Sequence, residues 1–201
     1  TSDCDGPAGV NNFITGTYGT PYPTEVLMAQ TWNTDLLYDL GLAMGQEYAD
    51  VNNYGVYGPA MNTHRSAFAG RNFEYYSEDG VLAGKLAAAQ VNAMATKGTY
   101  NYIKHFALND QETNRCAFLL TYSNEQAIRE IYLKPFELCI KNFDGTQIAV
   151  MSSFNWIGTV PACANEDTLT TILRNEWGFQ GMVITDYDGS YGYMITDHCV
   201  R

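Results

Sequence analysis

Short apolar runs alternate along the chain with longer segments of helical hydrophobic spacing. Runs rich in β-branched and aromatic residues predict strands at 53–62, 100–108, 147–155 and 181–187. Between them, apolar residues three and four positions apart predict helices at 24–51 (two helices), 77–98, 123–143 and 165–178. This alternation predicts a parallel α/β sheet, either doubly wound or closed as a (β/α)8 barrel.

Polar residues stand at or near the ends of the predicted strands. Lys104 and His105 fall near the end of the second strand, the polar stretch 152–155 ends the third, and Asp186 lies near the end of the fourth. In a barrel, the carboxyl ends of the strands form the catalytic face. The chain has no G-x-G-x-x-G or G-x-x-x-x-G-K-S/T loop, and this disfavours a dinucleotide-binding sheet.

The predicted strands are too few for a complete barrel. The pattern gives four strands, or five if one precedes Asp5, whereas a complete barrel has eight strands and typically about 250 residues. We therefore expect an α/β fold in which a (β/α)8 TIM-type barrel is incomplete in this chain.

Composition excludes several classes of partner. The chain has 201 residues, 46% of them apolar, which suffices for a folded core. Acidic residues outnumber basic ones by 22 to 11, so nucleic acid is not an expected partner, because phosphate binding needs clustered Lys and Arg. No apolar run has the length of a membrane span and no leader-like segment opens the sequence, so we expect no membrane partner.

The five cysteines are Cys4, Cys116, Cys139, Cys163 and Cys199. They show neither the C-x-x-C spacing of a metal site nor the pattern of a disulfide framework. We expect no metal ion and no cofactor. Such cysteines are typical of a reducing compartment such as the cytoplasm, although the sequence leaves the localisation open.

Asp186 raises the first chemical question. A carboxylate where a buried strand meets a cleft costs desolvation energy unless cations or donors surround it, although an Asp that caps the following turn is an equal alternative. Lys104 and His105 have the same ambiguity, since a salt-bridged Lys and a buried His are common. In a regular strand their side chains point to opposite faces, so both line a site only where the strand breaks into its loop.

Two loops add charge and aromatic rings. Segment 66–80 contains Arg71 and Glu74 among aromatic residues, and segment 109–115 contains Glu112 and Arg115. This mixture suits a sugar ligand, since aromatic rings stack on a sugar ring and charged side chains bind the sugar hydroxyls. Asp5 lies in a Gly/Pro turn, where an Asp usually bonds only its own backbone.

The motifs together closely resemble glycoside hydrolase family 3, specifically its β-glucosidase branch. The resemblance rests on "DGPAGV", "GPAMNTHRSAFAGRNFEYYSED", "KHFALNDQETNR", "REIYLKPFE" and "VPACANEDTLTTILRNEWGFQGMVITDY", which occur in the family's order over nearly the whole chain. The resemblance implies that the first domain is a barrel and that Asp186 is the catalytic nucleophile. The implied sugar-binding residues of the −1 subsite are Asp5, Arg71, Lys104, His105 and Arg115.

The implied function is a retaining, exo-acting β-glucosidase that releases a non-reducing-end β-D-glucosyl residue through a covalent glycosyl-Asp intermediate. Its expected partner is a β-glucoside or oligosaccharide substrate, with β-xylosidase specificity as an alternative. Cations around Asp186 are expected to lower its pKa and keep it ionised. Two other interpretations stay open: a non-catalytic sugar-binding fragment, and an aldolase-like barrel that uses Lys104 as a Schiff-base lysine.

Some residues depart from the family pattern. Many relatives have an Arg where Val10–Asn12 stands, Phe154 replaces the Tyr of "SYN", and Tyr187 stands where Trp is common. In this branch a second α/β domain supplies the Glu that acts as acid/base, and nothing in the sequence corresponds to that domain. We therefore expect residues 1–201 to form part of a barrel domain, with that second domain as a partner, and to be nearly inactive alone.

Overall fold

The computed structural model describes residues 2–116, 118–145 and 147–187. In this part of the chain a seven-stranded sheet has the order β10-β7-β5-β4-β1-β2-β3. Its strands are β1 Ser2–Asp5, β2 Asn11–Asn12, β3 Thr17–Tyr18, β4 Asn53–Tyr57, β5 Tyr100–Phe106, β7 Ile148–Ser152 and β10 Val183–Ile184. The predicted strand 53–62 ends at Tyr57, just before Gly58 and Pro59.

The helices follow the predicted order. They are α1 Glu25–Ala29, α2 Thr34–Asp50, α3 Gly80–Ala95, α4 Glu125–Ala127 with the π-helical turn Ile128–Tyr132, α5 Lys134–Lys141 and the π-helix Asp167–Glu176. The Asn33 and Asp79 side chains cap α2 and α3 by accepting bonds from the first backbone N–H groups of each helix. No helix in the described ranges has the length and apolar character needed to cross a membrane.

The strand order identifies the incomplete barrel. β1, β4, β5, β7 and β10 pair in parallel, each with the next one along the chain. Right-handed crossovers that always step in the same direction place all helices on one side of the sheet, unlike in a doubly wound fold. Val56, Ile103 and Val150 accordingly pack against helices. Tyr102 and Met151 face the opposite, concave side. The predicted α/β class and incomplete barrel are confirmed.

A second, smaller sheet joins the loops that follow β5 and β7. Its strands are β6 Leu120–Thr121, β8 Trp156–Ile157 and β9 Val160–Pro161, in the order β6-β8-β9. Phe118 and Trp156 lie beside it with their ring centroids 5.4 Å apart. The small sheet thereby fixes the loop after β5, which contains Glu112 and the candidate site residue Arg115.

The cysteines of the described ranges have free thiols. Cys4 and Cys139 are buried, and Cys116 and Cys163 are partly buried. Cys199 lies outside the described residues.

Candidate active site

A cavity of about 900 Å³ lies at the carboxyl ends of the parallel strands, on the concave side of the sheet. Its lining includes every site residue that the sequence predicted, namely Asp5, Arg71, Lys104, His105, Arg115 and Asp186. These residues come from four separate parts of the chain. The fold therefore brings the candidates together, whereas their functional roles stay predictions.

Lys104 and His105 both line this cavity although they are neighbours in β5. The pairing register of β5 with β7 shifts between Ile103 and Phe106, so the strand is irregular where the two side chains emerge. Asn62 holds the irregular segment, because its Oδ1 accepts from the His105 backbone N–H at 2.7 Å and its Nδ2 donates to the His105 carbonyl at 2.9 Å. The break that the sequence analysis required is present at this point.

Seven charged side chains of alternating sign run around the cavity, and we call them the ion-pair chain. In order they are Asp5, Lys104, Glu74, Arg71, Glu112, Arg115 and Asp186. Each member lies within 4 Å of the next, and Asp5 and Asp186 form the two ends. The two inner carboxylates therefore hold the three cations in place.

Glu74 is the most deeply buried carboxylate of the ion-pair chain and joins two of the cations. It accepts from Arg71 Nε at 2.6 Å and lies 3.1 Å from Lys104 Nζ. Burial alone would raise the pKa of Glu74, but the charges of Lys104 and Arg71 outweigh burial and lower it. Glu74 is therefore a fixed anion and a poor proton donor.

Arg115 connects the ion-pair chain to Asp186. Its Nε lies 3.1 Å from Glu112 Oε2, and its guanidinium stands over the Phe154 ring at 4.8 Å from the centroid. Its Nη1 lies 3.9 Å from Asp186 Oδ2, which is beyond hydrogen-bond distance. Phe154, which replaces the family's Tyr, thus supports the cation that faces Asp186.

Asp186 follows β10 and its carboxylate is largely enclosed by the cavity. Its Oδ1 accepts from the Tyr187 backbone N–H at 2.7 Å. Burial raises the pKa of Asp186, and the bond from the Tyr187 N–H and the charges of Arg115, Lys104 and Arg71 lower it by less. The cations act in the expected direction, but the expectation of a net lowered pKa is wrong. The cations lie too far from the carboxylate to compensate fully for its loss of water.

His105 faces Asp186 as a neutral imidazole. Burial first, and the charges of Arg71, Lys104 and Arg115 next, lower the pKa of His105 well below its ordinary value. Its Nε2 stands 3.7 Å from Asp186 Oδ2, so the two do not form an ion pair. Tyr75 Oη contacts His105 Nδ1 at 3.4 Å, on the other side of the ring.

Sequence reasoning missed the apolar rim and the base of the cavity. Phe13 and Ile14, between β2 and β3, are exposed and line its mouth. At the base, Asp3 accepts from Tyr100 Oη at 2.5 Å and from Tyr102 Oη at 3.0 Å. The alternation of Tyr100 and Tyr102 along β5 was the available signal, since both had to point to one face.

Three buried polar atoms of the cavity lack a hydrogen-bond partner among the described residues: Glu112 Oε1, Arg115 Nη1 and Asp186 Oδ2. Buried polar atoms are normally paired, so this grouping suits a ligand that is rich in hydroxyl groups. Within the same ranges, no group of three or more His, Cys, Asp and Glu side chains is placed to hold a metal ion.

The fold and the site together define a TIM-barrel-type α/β protein with a charged cavity at the carboxyl ends of its strands. Residues 3–199 match the model of the glycosyl hydrolase family 3 N-terminal domain. The chain belongs to this family.

Curated relatives are named β-glucosidases. Beta-glucosidase A of Butyrivibrio fibrisolvens is 44% identical over 187 residues, which cover 92% of this chain and 22% of that protein. Beta-glucosidase B of Emericella nidulans is 39% identical over 189 residues, again covering 92% of this chain and 22% of that protein. The chain therefore spans about a fifth of the length of these relatives.

Solved structures agree with this assignment. Beta-glucosidase 3B from Thermotoga neapolitana, in complex with glucose, superposes with a TM-score of 0.83 at 42% identity and covers 91% of this chain and 26% of that one. DesR, a β-glucosidase from Streptomyces venezuelae in complex with D-glucose, gives a TM-score of 0.89 at 32% identity, over 98% of this chain and 24% of that one.

Proposed function

We propose that this chain forms the −1 sugar pocket of a retaining, exo-acting β-glucosidase and that Asp186 is its nucleophile. The observation that supports this most directly is the position of Asp186 at the end of β10, inside a cavity that also contains all five predicted sugar-binding residues. Related proteins are named β-glucosidases, and two similar structures hold glucose.

In the proposed reaction, the ionised Asp186 carboxylate attacks the anomeric carbon of the bound glucosyl residue. The new C–O bond forms as the glycosidic C–O bond breaks, and the leaving oxygen takes a proton from a general acid. Water then gives a proton to the same acid/base group and attacks the same carbon, which breaks the bond to Asp186 and restores both groups. Arg71, Lys104 and Arg115 bind sugar hydroxyls by charge-assisted bonds that strengthen as positive charge develops on the ring.

The general acid must come from outside the ion-pair chain. A retaining enzyme places its two carboxyl groups about 5–5.5 Å apart, and the acid must be protonated before the reaction. Glu74 is held as an anion by Arg71 and Lys104, and Glu112 lies between two arginines. We therefore assign the acid/base to a second α/β domain, which acts as the partner of this chain.

The same reasoning supports a second candidate function for these 201 residues taken alone, that of a sugar-binding unit without turnover. Xylose, which lacks the hydroxymethyl group of glucose, stays an alternative substrate for the whole enzyme. Assays of the full-length enzyme with aryl glucoside and aryl xyloside separate the two sugars, because the two substrates have the same leaving group and differ only in the hydroxymethyl group.

The nucleophile is tested by trapping. A 2-deoxy-2-fluoroglucosyl inactivator added to the full-length enzyme is expected to label Asp186, as read by mass spectrometry of the peptide that contains it. Asp186→Asn is expected to abolish both the label and turnover of an aryl glucoside. A label on any other residue contradicts the assignment.

A further inference from the structure

We propose that Glu112 is a positioning residue that holds the Arg115 guanidinium away from Asp186, so that the carboxylate stays free to react. This proposal rests on the proposed function of Asp186 but assigns a role to a residue that does not itself touch the reacting atoms. Four features of the described residues support it: the anchoring of Glu112, its bond to Arg115, the distance from Arg115 to Asp186, and the unpartnered atoms between them.

Glu112 is anchored between two loops. Its backbone N–H donates to the Ala69 carbonyl at 2.9 Å, which ties segment 109–115 to segment 66–74. Gly70 has a φ of +99°, and a Cβ added there would lie 3.1 Å from both Cβ and Cγ of Glu112. The close approach of this glycine leaves the Glu112 side chain little room to move, so its carboxylate is a fixed point for its neighbours.

Arg115 is held from two directions. Its backbone N–H donates to the Glu112 carbonyl at 3.1 Å, and its Nε lies 3.1 Å from Glu112 Oε2. The Phe154 ring supports the guanidinium plane from below at 4.8 Å. In this position Nη1 stops 3.9 Å from Asp186 Oδ2, about 1 Å short of a charge-assisted hydrogen bond.

The gap between Arg115 and Asp186 is therefore maintained by competition. Arg115 Nη1 and Asp186 Oδ2 are both buried and have no hydrogen-bond partner among the described residues, and a guanidinium and a carboxylate pair strongly when nothing prevents it. Glu112 supplies the competing anion. Without its charge, we expect the guanidinium to move onto Asp186, where it would occupy the space of the anomeric centre and reduce the nucleophilicity of the carboxylate.

The pH dependence follows from the groups that face Asp186. They are His105 and Lys104 from β5, Arg71 from the loop before the short 3₁₀-helix Asn72–Glu74, and Arg115 from the loop after β5. His105 is neutral, so the cations decide the direction of any change. Loss of the Glu112 charge and a shorter Arg115–Asp186 distance both favour ionised Asp186, so both lower its pKa.

A crystal structure of the full-length Glu112→Gln variant tests the geometry without relying on activity. The expected Arg115–Asp186 distance is about 2.8–3.0 Å, against 3.9 Å here. Glu112→Asp keeps the charge and is expected to keep the gap. Glu130→Gln, an exposed change, serves as the control for handling and folding. An unchanged gap in Glu112→Gln overturns the proposal.

Kinetics of the same variants give an independent reading. With an aryl glucoside, Glu112→Gln is expected to lower kcat by about 10-fold or more and to move the acid limb of kcat/KM to lower pH by about half a unit or more. In an Arg115→Gln background the same change is expected to add almost no further loss of kcat, since Glu112 restrains the reacting carboxylate through Arg115. A full effect in that background overturns the proposal.

Failure of the proposed function gives a different result from failure of this inference. If Asp186 is not the nucleophile, the wild type still turns over and Asp186→Asn also remains active. The peptide that contains Asp186 is then recovered without the label. If only the role of Glu112 is wrong, Asp186→Asn is inactive as expected, while Glu112→Gln keeps the wild-type acid limb and the wild-type gap.

Discussion

A carboxylate acts as a nucleophile only when it is ionised, and the surroundings of Asp186 oppose its ionisation. Burial raises its pKa, and the Tyr187 backbone N–H, Arg115, Lys104 and Arg71 offset only part of that effect. The pKa of Asp186 therefore lies above the ordinary aspartate value of 3.8.

The pH profile tests this balance. For the full-length enzyme we expect kcat/KM for an aryl glucoside to rise with pH through an acid limb above 3.8. Among the charged groups, Arg115 lowers the pKa of Asp186 most. Arg115→Gln removes that charge, so the acid limb should move to higher pH. Arg129→Gln, a change on the outer surface, is the control. An acid limb at or below 3.8 contradicts the raised pKa.

Glu25 offers a residue-scale test of stability. Its side chain is 1% exposed at the start of α1, and its Oε1 has no partner among the described residues. Burial, followed by the nearby charge of Glu74, raises the pKa of Glu25 well above 4.5 despite Lys104 and Arg71. A raised pKa favours the folded state at low pH, and this advantage is lost as pH rises through the folded-state pKa.

We therefore expect Glu25→Gln to increase the melting temperature near pH 8 and to change it little near pH 4. Each pKa unit of the shift corresponds to about 1.4 kcal/mol, or roughly 3–6 °C for a domain of this size. Exposed Glu78→Gln is the matched control and should show no such pH-dependent difference. Equal effects of Glu25→Gln at both pH values would contradict a buried, neutral Glu25.

At the scale of the elements, close packing of α2 on α3 depends on a glycine. A Cβ at Gly41 would lie 2.5 Å from the Gln90 carbonyl oxygen and 2.8 Å from Ala93 Cβ. Elsewhere in a helix, Ala is favoured over Gly by about 1 kcal/mol. At this position the contact with α3 reverses that preference.

Gly41→Ala is accordingly expected to destabilise the protein by about 1–3 kcal/mol, because the two helices must move apart. Thermal or urea unfolding measures the loss. Ala43→Gly, at an exposed position of the same helix, should cost about 0.5–1 kcal/mol through helix propensity alone and shows the ordinary preference for Ala. If Gly41→Ala instead increased the stability, α2 and α3 would accommodate the added methyl group, and the predicted clash would be wrong.

Sequence patterns predicted the long elements well because periodicity needs length. The helices around 34–50 and 80–95 and the strand at 100–106 each repeat their pattern several times. The small sheet could not be predicted, since two-residue strands such as Trp156–Ile157 show no alternation. At the residue scale, the motifs predicted residues that the fold brings together in one cavity. The raised pKa of Asp186 could not be predicted, because it depends on burial by loops distant in sequence. Glu25, an acidic residue after Thr24, resembled an ordinary exposed helix start.

For the whole molecule, the extent of the chain sets its chemistry. It spans 22% of the length of Beta-glucosidase A, and its two inner glutamates are committed to cations. Under the proposed function, with Asp186 as nucleophile and the acid supplied by another domain, this pocket is expected to bind a sugar without cleaving an unactivated bond. General acid assistance typically contributes on the order of 10²–10⁴ in rate.

We therefore expect the 201-residue chain to hydrolyse cellobiose at least ~100-fold more slowly than the full-length enzyme. Glucose titration followed by NMR should still perturb signals of residues that line the cavity, and Asp186→Asn provides the matched control for specific binding. Cellobiose turnover by the chain alone at the full-length rate would place the acid within these residues.

The small sheet has a practical consequence because it places an indole group directly behind the loop that holds Arg115. Indole fluorescence responds to the polarity of its surroundings, and Trp156 packs against Phe118 at the end of that loop. Of the other tryptophans, Trp32 is 73% exposed and Trp177 packs edge-on against Phe106 on the helical side. Replacing these two by Phe leaves Trp156 as the single indole of the chain, and its emission is expected to change when a sugar reaches the Arg115 loop, with no label attached.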